Sequence, residues 1–151
     1  MSEKLMPHID DYQDNVRAFM EAGGQAVRDM GDPGIPAEVD LMLGRRMLAE
    51  EVDEMGEAIE AMVAAQEAGD TVAAREALVD YADALGDVVY VVIGRAVQAG
   101  IDLQAVLEEI SASNMSKIDW VNREPWVVKP DGKIGKDHHY RAPDLWSVMF
   151  G

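Results

Sequence analysis

Cysteine does not occur in the 151 residues. Disulfides and thiolate metal sites are thereby excluded, and a bound metal would have to use carboxylates, imidazoles or backbone oxygens. Hard divalent cations such as Mg²⁺ or Mn²⁺ suit that donor set best. No apolar run approaches the roughly 20 residues of a membrane span, and the opening MSEKLMPHIDD carries no signal-peptide pattern. A cytoplasmic protein without a membrane partner is the resulting expectation. Positive charge is scarce, 13 Lys and Arg against 29 Asp and Glu, for a formal net charge of −16. Nucleic acid is therefore not expected as a partner, because binding to its phosphates rests on Lys and Arg. The imbalance is local: residues 1–112 hold 24 acidic and 7 basic side chains, residues 113–151 hold 5 and 6. The tail can face a polyanion that the body would repel.

What the chain does have, 48% hydrophobic and 28% charged residues, suits one globular domain over 1–151, with a helical body at about 10–117 and a closing segment at about 118–151. A first helix is predicted over 10–29, with Asp10 or Asp11 as N-cap and Tyr12, Val16, Phe19 and Met20 on one face. GDPGIP at 31–36 breaks it. A second helix is predicted over 37–68, with Leu41, Leu48, Val52, Met55, Ile59 and Met62 as its inward stripe and Gly69-Asp70 ending it. A third should span 71–99 and stop at Gly100, with Leu78, Tyr81, Leu85, Val88, Val89, Val92 and Ala96 as its main apolar face. Its VVYVVI run, 88–93, has high β-propensity, yet the helical pattern continues on both sides and is apolar all round, as a helix buried on several faces would be. Asp102 can cap a fourth helix over 103–113, with Leu103, Val106, Leu107 and Ile110 inward. The remainder is rich in turn formers and is expected to be irregular, with a tight turn at Asp131-Gly132 between two short extended pieces. The fold class is thus all-α, a four- to five-helix bundle.

The chemistry lies in the carboxylates. Glu50, Glu51 and Glu54 form an EExxE cluster on the second helix. At about 100° per residue, Glu51 falls about 60° and Glu54 about 120° from the centre of the Leu48/Met55 stripe, so both flank a buried seam, with Glu50 further round. Asp80, Asp83 and Asp87 follow steps of three and four and form an acidic ridge opposite the Leu85 face, aimed into protein. Carboxylates converging between helices repel one another and lose hydration unless cations or protons compensate. A divalent metal solves both problems, and facing bundle helices are a known frame for it. The alternative is a solvated acidic face in a very acidic chain.

The order of features resembles the MazG-like all-α nucleotide pyrophosphohydrolases, relatives of the phosphoribosyl-ATP pyrophosphohydrolases and dimeric dUTPases. In that superfamily EExxE on one helix is followed by ExxD on the next. Glu50-Glu51-Val52-Asp53-Glu54 is a full match to the first, and DYADALGDVVYVVIG, residues 80–94, resembles the second with Asp87 as its Asp. The pattern departs at Ala84, which stands at the Glu position and cannot bind metal. Asp83, one residue earlier, is the replacement ligand that similar sequences suggest; a shifted register using Asp80 with Asp83 is the other option. In the tail, Ser113-Asn114-Met115-Ser116-Lys117 resembles the family's SNMSK segment. Lys129-Pro130-Asp131-Gly132-Lys133 and Ala142-Pro143-Asp144-Leu145 resemble its closing segment.

The resemblance implies hydrolysis of a (deoxy)nucleoside triphosphate to the monophosphate and pyrophosphate. Glu50, Glu51, Glu54, Asp83 and Asp87 would hold two or more Mg²⁺ or Mn²⁺ ions, with Glu50 also the candidate for orienting or deprotonating the attacking water. Asn114, Lys117, Phe19, Gln25 and Lys133 are the implied nucleotide contacts. Lys133, Lys136, His138, His139 and Arg141 are individually ordinary solvated groups that as a set can close over phosphate, and Trp120, Trp126 and Trp146 are packing residues. The substrate reading leans to a dNTP such as dGTP, with dUTP, dCTP or phosphoribosyl-ATP as alternatives. A helical interaction protein is the non-enzymatic alternative. Similar proteins pair subunits, so a homodimer, or a tetramer made of two, is expected.

Overall fold

The computed structural model describes residues 9–151, the side chain of Asp10 excepted. The chain forms two compact units, Asp11–Ile101 and Asp102–Gly151.

The first unit is built from α1 (Ile9–Ala22), α2 (Glu38–Glu67) and α3 (Thr71–Ala99). α1 is shorter than its apolar spacing predicts. It stops at Gly23-Gly24, where Gly24 takes φ 74°, and residues 25–29 continue as a loop. The loop's amides find other acceptors: Gln25 N donates to Met20 O at 2.9 Å and Arg28 N to Val97 O at 3.1 Å. Arg17 ties the loop back to α1, donating to Glu21 Oε1, Asp29 Oδ1 and Arg28 O, each at 2.9 Å. The helix already begins at Ile9, so Asp11 lies in its first turn, where a negative charge still favours the dipole, and is not its N-cap. Val16 and Met20 are buried against Gly94 of α3.

α2 and α3 form a helical hairpin. Gly69, at φ 68°, turns the chain out of α2, and the Asp70 carboxylate caps α3 by accepting from Val72 N (3.1 Å) and Ala73 N (3.0 Å). The seam between them differs from the predicted one. On α2 it runs through Gly44, Ala58 and Ala65, and on α3 through Ala77, Ala84, Val91 and Gln98. These positions recur at heptad spacing, the period of a left-handed helix pair. Their side chains are mostly too small to hold two helices apart. The larger residues predicted to point inward flank or leave this line: Leu48, Met55, Met62, Tyr81 and Val88 are half-buried. Leu41, Val52, Ile59, Leu78, Leu85, Val89 and Val92 are exposed. The VVYVVI run is helical as predicted, but only Val91 and Ile93 of it are buried.

At the far end of the seam Arg95 lies across Gly44, in the space a Cβ would fill. Its guanidinium donates to Gln98 Oε1 at 2.8 Å and to Asp40 O at 3.4 Å. Burial lowers its pKa against the opposing effect of Asp40.

The second unit comprises α4 (Leu103–Met115), β1 (Ile118–Asp119), β2 (Glu124–Pro125) and α5 (Leu145–Phe150). Asp102 caps α4 through Ala105 N at 3.1 Å. The helix runs two residues past the predicted Ser113, and Leu107 is exposed where an inward position is predicted. The tail is more ordered than its composition suggests. β1 and β2 pair antiparallel, and Gly132, at φ 85°, makes the predicted Asp131-Gly132 turn, flanked by the Val128–Ile134 bridge. α5 escapes a sequence reading because it has only six residues; Asp144 caps it through Ser147 N at 3.1 Å. The tail is strapped to α4. Ser113 Oγ donates to Arg141 O (2.7 Å), and Glu109 Oε1 accepts from Arg141 Nη1 and Asp144 N, both at 2.9 Å.

Among the described residues no single helix is long and apolar enough to cross a membrane.

Two glycines with the same left-handed φ of 68°, Gly69 and Gly100, separate backbone strain from close packing. A Cβ at Gly69 meets nothing within 4 Å, whereas at Gly100 it would press on the backbone oxygens of Asp32 and Asp29. Gly69→Ala should cost about 1–2 kcal/mol, the left-handed penalty alone. Gly100→Ala should cost about 2–4 kcal/mol, because the loop at 29–32 must also move. Urea unfolding of both variants measures the difference.

Candidate active site

The heptad line of α2 passes through one charged residue. Glu51 lies seven residues after Gly44 and seven before Ala58, so its carboxyl is directed along the helix seam. Its Oε2 is fully buried and has no hydrogen-bond partner. The pKa of Glu51 is raised, first by loss of hydration and then by the charges of Glu54, Asp87, Glu50 and Asp83. An ionised Glu51 is repelled by Glu50 and Glu54 along α2 and by Asp83 and Asp87 from α3. The five metal-ligand candidates of the sequence are thus brought to one place.

Below Glu51 the two helices leave a cleft of about 410 Å³, lined by Glu54, Glu57, Ala58, Ala61, Asp80, Asp83 and Ala84. That volume falls within the roughly 300–1,000 Å³ of small-molecule sites. Asp80 and Asp83 are exposed and Asp87 half-buried, so the acidic ridge lines an open cleft and does not point into packed protein. Ala84, at the position where the motif calls for Glu, is buried in the seam. Asp83 is the α3 residue whose charge, with that of Asp87, reaches Glu51. Glu57 is not among the sequence candidates, and Asp80 enters there only as the alternative register. Their signal was present: each stands three residues from a candidate ligand, Glu54 or Asp83, and so one helical turn away.

A buried, unbonded carboxylate oxygen with four other carboxylates acting on it is an arrangement that could hold a cation. Ionised groups in such an arrangement persist only if positive charge or protons offset the repulsion and the lost hydration. The donors are all oxygens, which fits Mg²⁺ or Mn²⁺.

Beside the cluster, Tyr90 lies one turn beyond Asp87 on α3 and meets Phe19 edge to face, ring centroids 5.8 Å apart at 79°. Both rings are exposed, Phe19 at 62% and Tyr90 at 43%, which leaves an aromatic surface free next to the acidic cleft. Gln25 is exposed in the loop after α1. Tyr90 was hidden in the apolar VVYVVI run, where periodicity gives no sign that one ring is turned outward.

In the second unit, Asn114 and Lys117 are joined, the Lys117 Nζ donating to Asn114 Oδ1 at 2.8 Å. Lys133 pairs with Asp131 at 3.7 Å on an exposed turn. His139 stacks on Trp126 with centroids 3.8 Å apart, and its Nδ1 lies 2.9 Å from Asp137 Oδ2.

No curated protein sequence matches the chain. The family profile of phosphoribosyl-ATP pyrophosphohydrolase matches residues 33–114, more than half of the chain and all of the hairpin that carries the carboxylates. The chain accordingly belongs to the phosphoribosyl-ATP pyrophosphohydrolase family, within the MazG-like all-α nucleotide pyrophosphohydrolase superfamily.

Proposed function

We propose that this nucleotide pyrophosphohydrolase cleaves a deoxynucleoside triphosphate between its α- and β-phosphates in a metal-dependent reaction. The observation that carries the reading is Glu51: a carboxyl built into the helix seam, with one buried oxygen lacking a partner and four further carboxylates acting on it. Glu51, Glu54, Asp83 and Asp87 hold the metal. Mg²⁺ or Mn²⁺, when bound, supplies charge neutralisation at the phosphate oxygens and a lowered pKa for the attacking water. Glu50, adjacent in sequence but turned by about 100° on the helix, orients or deprotonates that water. Phe19 and Tyr90 offer a wall for the base. Asn114 and Lys117 are the phosphate contacts of the second unit.

dGTP is the first substrate to try, with dUTP and dCTP next. The family match favours phosphoribosyl-ATP as the second reading. Pyrophosphate release across all common NTPs and dNTPs and phosphoribosyl-ATP, with Mg²⁺ and with Mn²⁺, tests both. No release from any of them would overturn the proposal.

Glu51→Gln keeps volume and removes a ligand charge, so turnover should fall at least about 100-fold at saturating metal. The folded pKa of Glu51 is raised. Its contribution to stability is therefore present below the unfolded carboxylate pKa and lost as pH rises through the folded one. At neutral pH in chelator the variant should melt no lower than wild type. A lower melting temperature, or wild-type turnover, refutes the assignment.

Asp83→Ala should lose activity as severely as Asp87→Ala, because both groups act on Glu51, while Asp80→Ala should be mild. The reverse order in pyrophosphate-release rates would shift the motif register to Asp80.

The exposed apolar rows of α2 and α3, among them Val52, Ile59, Leu78, Leu85 and Val89, are the basis for proposing a homodimer that covers them. Light scattering should give twice the chain mass or a multiple of that dimer, and Leu85→Glu should shift it toward the single chain. A stable, active monomer at micromolar concentration would refute the dimer.

A further inference from the structure

Within Asp102–Gly151 two lysines gather around one aromatic ring. Lys136 Nζ lies 4.4 Å and Lys117 Nζ 5.6 Å from the centroid of Tyr140. Among the described residues neither ammonium has a carboxylate partner. Lys117 donates there to the neutral Asn114 amide, and no ion pair among them involves Lys136, in a chain where acidic residues outnumber basic ones by 29 to 13.

The nearby carboxylates are committed elsewhere. Asp137, next in sequence to Lys136, accepts from His139 N at 2.9 Å and contacts the rings of His139 and His138. Glu109 takes Arg141 and the Asp144 amide. Asp119 accepts from Asn122 Nδ2 at 2.8 Å and from the Val121 and Asn122 amides. Asp144 is held by Ser147. Ammonium groups gathered on one ring without a counterion among the described residues are an arrangement completed by an anion from outside.

We infer that Lys136 and Lys117, set around Tyr140 and beside Asn114, form a clamp for an oligophosphate, the di- or triphosphate part of a nucleotide. In its link to catalysis the inference rests on the function proposed above. It adds Lys136 and Tyr140 to the nucleotide-binding residues. Tyr140 is the post that spaces the two charges. Its pKa is lowered, first by a hydrogen bond with Ser113 and then by Lys136 and Lys117, which places its hydroxyl between the end of α4 and the two ammonium groups. Ser113 is itself buried and tied to Arg141 O, so the ring is anchored to the end of α4. Two compact ammonium charges suit a small anion of high charge density.

The test uses the full chain, with folding of each variant checked by circular dichroism. Inorganic tripolyphosphate is titrated calorimetrically in chelator, so that the acidic cleft takes no part. Wild type should bind it, Lys136→Ala should weaken binding about 10-fold and Lys136→Arg should restore it to within about threefold. Lys129→Ala, an exposed lysine outside the cluster, should leave it unchanged. With Mg²⁺ and nucleotide, Lys136→Ala should raise KM by a similar factor while kcat stays within about twofold. If wild type releases no pyrophosphate from any nucleotide, the proposed function fails, and the tripolyphosphate titration still decides the clamp. Absence of tripolyphosphate binding by wild type, or equal binding by Lys136→Ala, would overturn it.

Discussion

A carboxyl with one oxygen shut off from water and left without a partner sets the terms for the rest of this structure. Glu51 occupies a position in the α2–α3 seam where the heptad neighbours are Gly44 and Ala58, and its buried oxygen has no bond inside the protein. Small residues along the seam bring the two helices close together, which places Asp83 and Asp87 of α3 near Glu51 and its neighbours on α2. The geometry that draws these carboxylates together is therefore the same geometry that disfavours their full ionisation. Removing a group from such a cluster relieves repulsion, which is the usual relation between stability and function at a binding site.

The arrangement also explains where the large apolar residues went. With glycine and alanine occupying the intrachain seam, Val52, Ile59, Leu78, Leu85 and Val89 are left outside it. A helix pair that buried its leucines inward would stand further apart, and the carboxylates would no longer converge. Arg95 closes the other end of the same seam by filling the space over Gly44, so register and charge placement are held at more than one level.

Charge is divided between the two units. Asp11–Ile101 carries the clustered carboxylates, and Asp102–Gly151 carries Lys117 and Lys136 around Tyr140.

Much of this was legible in the amino-acid sequence. The extents of α2 and α3 followed from local signals: the Gly69-Asp70 break and the Gly100 stop are chemistry within a few residues of the helix ends, and both hold. The EExxE spacing and the Asp83/Asp87 step likewise specify a shared helix face, because a helix repeats every 3.6 residues whatever surrounds it. Tertiary structure decided which face is inward. Hydrophobicity pointed to Leu41, Val52 and Ile59, whereas the seam runs through Gly44, Glu51 and Ala58, since close approach of two helices depends on side-chain size and not on apolarity alone. It also decided that α1 ends at Ala22, where the amides of residues 25–29 find acceptors outside the helix, that Tyr90 faces Phe19, and that Lys136 meets Tyr140. Those contacts join residues far apart in sequence or separated by turns, and no periodicity along one segment records which side chain another segment will bring to it.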